Sequence, residues 1–120
     1  MAQPEWSVVF YERGDSAPVR EFLETLDKKT QVRFVWSIEQ LRRRNVQARK
    51  PLVDHVEGKI WELREESQTN IYRLLYFMAS GRRIVFLHGF QKKTQKTPRR
   101  DIDVAQQRLD EFNADEGRES

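Results

Sequence analysis

The chain has 120 residues, no cysteine and a formal net charge of only +3. That length suits one domain with a single core, and the absence of cysteine excludes disulfides, zinc–thiolate sites and thiol nucleophiles. No apolar run approaches the roughly 18 residues of a membrane span, and MAQPEWSVVFYERGD lacks the basic-then-apolar layout of a signal peptide, so the expectation is a soluble cytoplasmic protein.

Taken in chain order, EWSVVFY at 5–11 is β-branched and aromatic and predicts a strand. ERGDS then turns, and Ser16 is placed to cap a helix with Val19, Phe22, Leu23 and Leu26 as its apolar positions. A second helix is predicted from about Lys28 to Arg44, with an apolar stripe of Val32, Val35, Trp36, Ile38 and Leu41. Pro51 follows closely, so the helix must stop. Three strand-forming runs come next, at 59–65, 70–78 and 83–88, joined by ESQT and ASGR. Gly81 suits the positive backbone angle of a tight hairpin. NIYRLLYFM is apolar on both faces and reads as a central strand covered on both sides. Thr97 as N-cap and Pro98 at the first helical position open a last helix, with Ile102, Ala105, Leu109 and Phe112 on one face. The predicted class is α+β, in the order strand, helix, helix, three strands, helix, with the helices on one side of an antiparallel sheet. Residues 1–113 form one domain in this reading, and 114–120 a polar, disordered tail.

Charge is segregated along this framework. Residues 82–100 hold seven basic side chains and no acid, and 42–50 hold five more (Arg42, Arg43, Arg44, Arg49, Lys50) and no acid. The two stretches sum to +12, which leaves −9 for the rest. Such separation points to a polyanionic partner, nucleic acid first. The bland alternative is two solvated charge runs, and for Arg42–Arg44 a favourable placement at the negative end of a helix dipole.

Some residues are out of place for a purely structural protein. Arg73 alternates with Ile71, Leu75 and Phe77 in the central strand. It needs either a carboxylate partner, such as Glu62 on the neighbouring strand, or an anionic ligand. Arg64 comes close to Arg73 if the strands pair through ESQT, and a phosphate between two guanidiniums would relieve their repulsion. In HGFQKKTQKTP, Gly89 allows a turn or close approach to a ligand. Phe90 is either core or a platform for base stacking. Lys92, Lys93 and Lys96 lead toward the positive end of the last helix. His88, which ends a strand beside the loop, and His55 are the histidines available for proton transfer, with a plain structural histidine as the alternative for each.

IWELR, IYRLLYF, RIVFLHGFQKKTQKTPRR and the helix after them resemble the HigB/RelE-like toxins, in particular the phage-derived HigB-like branch, over about residues 58–112. The resemblance implies a RelE-like fold and a ribosome-dependent mRNA endonuclease of a type II toxin–antitoxin pair. It implies no metal and no cofactor. The implied partners are mRNA, the ribosome and a helix-turn-helix antitoxin of the HigA type, with DNA reached only through that antitoxin. By motif, Arg73, Lys92, Lys93 and Lys96 match the phosphate-site positions and Arg64 is a further candidate, so the resemblance favours a basic cluster over a histidine. His88 remains a candidate by its place beside the loop, and Phe90, Arg99 and Arg100 complete the RNA-binding set read from the residues. Arg42, Arg43, Arg44, Arg49 and Lys50 suit docking on ribosomal RNA phosphates. No tyrosine stands near the last helix, as one does in some relatives, so the general base stays open between lysine and histidine. The competing class is a non-catalytic RNA-binding regulatory module.

Overall fold

A computed structural model of the chain describes residues 6–43, 53–92 and 96–119. Its elements run β1 Ser7–Phe10, α1 Pro18–Glu24, α2 Lys28–Arg42, β2 Val53–Glu57, β3 Ile60–Ser67, β4 Asn70–Ala79, β5 Arg83–Lys92 and α3 Arg99–Glu119. The fold is α+β, with one five-stranded sheet in the order β1-β5-β4-β3-β2. β2 to β5 form an antiparallel meander, and β1 pairs parallel to β5. Both predicted hairpins form: Ser67 pairs Asn70 across a two-residue turn, and Ala79 pairs Arg83 around Gly81, whose φ is +78°.

β4 is apolar on both faces because both faces are covered. Leu74 and Tyr76 meet α1 and α2 through Val19, Phe34 and Ile38. Leu75 and Phe77 meet α3 through Ile102, Ala105 and Leu109. The helices therefore flank the sheet, and the expectation of helices on a single side is corrected.

Four local expectations also change. Residues 53–57, assigned to no element from the sequence, form edge strand β2; Asp54, His55 and Glu57 hide the strand signal, as charges on edge strands do. α2 buries Thr30, Phe34, Ser37 and Ile38, whereas Val32, Val35 and Trp36 face outward. β5 runs on through Lys92, since β4 extends far enough for Ile71 to pair with it, so HGFQK is strand and not connector. α3 continues through the polar residues after Phe112, with Glu116 2.6 Å from Arg83 of β5.

Caps differ from the simplest reading too. Ser16 stands one residue before the α1 cap and donates to Glu21 Oε2 at 3.1 Å, while Glu21 accepts the Ala17 N–H at 2.8 Å. At α3 the Pro98 carbonyl takes the cap role, accepting from the N–H groups of Asp101 and Ile102. Gly89 is needed for packing, since a Cβ there would lie 2.4 Å from the Phe22 ring, so α1 approaches the strand where ligand approach was the expectation.

Candidate functional site

α3 starts at Arg99 and covers the middle of its sheet face, leaving the part floored by β2, β3 and β4 open. Register fills that part with charge. Arg64 of β3 pairs Arg73 of β4, which pairs Phe90 of β5; Glu62 pairs Leu75 and Asp54, and Lys92 pairs Ile71. Side chains two apart on a strand share a face, so Glu62, Arg64, Arg73, Phe90 and Lys92 all project toward the α3 side. Glu62 and Arg73 border a cleft of about 830 Å³ walled also by Asp54, Lys96, Thr97 and Arg99, among others, while Arg64, Phe90 and Lys92 stand on the same sheet face beside it.

Its electrostatics are unusual for a buried surface. Arg73 and Glu62 are both buried and form an ion pair through Arg73 Nη1 and Glu62 Oε2. The other Glu62 oxygen accepts from Thr97 Oγ1 at 2.8 Å, which ties the approach to α3 to the cleft floor. Lys92 is 4 % exposed, and among the described residues its Nζ has no hydrogen-bond partner; Arg73 Nε has none either. Burial, and then the nearby Arg73, push the Lys92 amine below its usual pKa, with Glu62 opposing. Burial likewise lowers Arg73, again against Glu62. A buried donor without an acceptor carries an unrecovered desolvation cost. An oxyanion with several acceptor atoms would satisfy both groups at once.

The residues named from sequence divide clearly. Arg64, Arg73 and Lys92 converge, and Arg73 lines the cleft together with Lys96 and Arg99. Arg99 is committed to Glu57, with two contacts of 2.8 Å, and to Asp103 at 3.0 Å. Phe90 is half-buried at the margin of the α3 core and stacks on His88 at 5.5 Å. His88 does not line the cleft: its Nε2 lies 2.7 Å from Asp101 Oδ1, and its Nδ1 lies 3.4 Å from Arg108 Nη1. The neutral Nε2–H tautomer satisfies both contacts. His55 turns its ring edge-on to Trp61 and bonds the Gly58 carbonyl through Nε2 at 2.8 Å. Arg100 is exposed on the first turn of α3. Arg42 and Arg43 stand at the end of α2, both against Glu39. Arg44, Arg49, Lys50 and Lys93 lie outside the described residues.

Comparison with family models matches residues 21–110 to "Phage derived protein Gp49-like (DUF891)". The chain belongs to this family. Gp49-like proteins are associated with RelE-like toxins, which agrees with the α+β architecture above. No curated protein matches the chain.

In this Gp49-like protein the sequence named the cations of the cleft more readily than its acids. Glu62 entered only as an alternative partner for Arg73, and that pairing is present. Asp54 lies in β2, a strand not read from the sequence. Thr97 was assigned to a cap, yet its hydroxyl turns to Glu62 across 35 positions of sequence. The one usable signal was Glu62 alternating with Arg64 on a single strand face.

Proposed function

We propose that this protein is the toxin of a type II toxin–antitoxin pair and cleaves mRNA on the ribosome, in the cytoplasm, under control of a helix-turn-helix antitoxin. The reading rests above all on the buried, unpartnered Lys92 amine beside Arg73, in a chain of a toxin-associated family.

In the proposed reaction the scissile phosphate sits between Arg64, Arg73 and Lys92. The ribose 2′-oxygen attacks in line, and the 5′-oxygen leaves. The products are a 2′,3′-cyclic phosphate and a 5′-hydroxyl. The guanidiniums stabilise the charge that develops on phosphorus, a contribution of several kcal/mol in preorganised sites. Lys92, with its lowered pKa, is the proton-transfer group suggested here; such groups contribute about 10²–10⁴-fold. Lys96 approaches from the wall. Phosphate entry requires Arg73 to share its guanidinium with Glu62. Ribosome docking would draw on Arg42, Arg43, Arg44, Arg49 and Lys50 through salt-sensitive contacts.

The Arg73–Glu62 pair also favours a second reading, an RNA-binding module without catalysis, because Arg73 already has a carboxylate. A translation extract with a defined message separates the two. The parent should cut ribosome-bound message and leave free RNA intact, and Lys92→Met should bind ribosomes as the parent does without cutting. Tight binding with no cuts by the parent selects the module. Cuts in free RNA remove the ribosome dependence.

A further inference from the structure

The outer face of α2 presents Val32, Val35 and Trp36 at 61, 65 and 54 % exposure, spaced i, i+3 and i+4. They form one contiguous strip, on the order of 300 Å² of apolar surface, a size often functional on single-chain proteins. The helix cannot roll to bury it. Phe34 and Ile38 are locked in the core, Ser37 Oγ donates to Glu65 of β3, and Arg33 Nη1 donates to the Glu66 carbonyl.

Charge around the strip is one-sided. Lys28 and Lys29 stand one turn before it and Arg43 two turns after Trp36, while Glu39 is the acid on the same side and is held by Arg42 and Arg43. The two lysines occupy the first turn, where the helix dipole disfavours cations, and among the described residues neither forms an ion pair. Helix stability therefore does not account for them. A second copy of the chain fits poorly: packed antiparallel, α2 against α2 sets Lys28 and Lys29 near Arg43, and packed parallel it sets lysine against lysine.

We propose that this face docks an amphipathic helix of a partner protein, with aliphatic residues along its centre and Asp or Glu along its borders. The apolar strip would supply the buried contact and the lysines the register and the selectivity. The proposal does not depend on the nuclease reading, and either can fail alone.

The test titrates the full chain, by calorimetry, with a synthetic helix of about 20 residues carrying Leu on one face and Glu on its flanks, and with a counterpart carrying Lys for Glu. Saturable binding of the Glu helix is expected, weakened about tenfold or more by the Lys replacement and by Val35→Asp on the protein. Val35 is exposed, so that variant should melt as the parent does. Lys28→Glu with Lys29→Glu should reverse the preference between the two peptides. Equal binding of both peptides, or undiminished binding by Val35→Asp, overturns the proposal. So does a dimer of the parent in sedimentation that Val35→Asp dissolves, which assigns the face to a second copy.

Discussion

Cations gather both at the end of α2 and in the cleft, and they are settled in opposite ways. On α2, Arg42 places Nε and Nη2 at 2.9 and 2.6 Å from Glu39, and Arg43 Nε lies 3.4 Å from the same carboxylate, all within reach of water. At the cleft, Arg73 pairs with Glu62, Arg64 and Lys92 stand beside it, and the buried Lys92 amine has no acceptor among the described residues. The first arrangement is what any polar helix end does. The second keeps an electrostatic debt inside the fold, the usual mark of a site arranged for a ligand. Counting basic residues along the chain gives the two stretches similar weight; burial separates them.

The sharpest way to break this contrast is Arg73→Ala. It leaves the Glu62 carboxylate buried without its counter-charge and should cost about 3–5 kcal/mol in urea unfolding. Replacing both partners, Arg73→Met with Glu62→Leu, should recover most of that loss. A single variant within about 1 kcal/mol of the parent would mean that the pair is solvated and the contrast is false.

Lys92→Met should move the other way. Removing a buried, unpartnered amine should stabilise the protein by about 1–2 kcal/mol, while RNA cleavage falls at least about 100-fold. Loss of stability in this variant would show that the amine has an acceptor in solution.

His88 lies between the extremes, half-buried but paired. Burial pulls its pKa below the ordinary value, against the raising effect of Asp101. The unfolded chain then takes this proton first, so the stability it contributes is full above about pH 6.5 and declines as pH falls from there toward the folded value. Melting scans between pH 7.5 and 5.5 should show a fall of a few degrees that His88→Gln flattens.

The smallest effect belongs to α2. Glu39 is held at about 2, first by its hydrogen bond from Arg42. Its contribution is present above the normal carboxylate range and is lost as pH drops toward that value. A carboxyl NMR titration should find the low midpoint and see it rise in about 1 M salt. Glu39→Gln should lower the urea midpoint slightly at low salt and by less in about 1 M salt.

These contrasts also show what the sequence could carry. The hairpins were legible because Gly81 and the short ESQT connection, closed in the structure by Gln68 and Thr69, have local causes. The approach of Arg64 to Arg73 followed from strand alternation and the ESQT connection, whereas Lys92, expected in a connector, is placed by the extension of β5. α2 was misread because it has two apolar faces, and periodicity does not say which one the sheet selects; burial of Thr30 and Ser37 became possible only through Asp27 and Glu65 as partners. The side taken by α3 was implied by a β4 strand apolar on both faces, yet fixing it required the pairing of Leu75 and Phe77 with Ile102 and Leu109. Thr97 and Glu62 meet only once the whole sheet is assembled.

The parallel ladder between β1 and β5 joins Ser7 to Arg83, which sets the order of events during synthesis. β1 must wait for β5 before it finds a neighbour, and the wall of the cleft from Lys96 onward is translated later still. The cleft is assembled only after both, and folding governed by such distant pairings is intrinsically slow. The residues of α2 are made earlier, so a partner that binds its outer face could engage the chain before the cleft is complete.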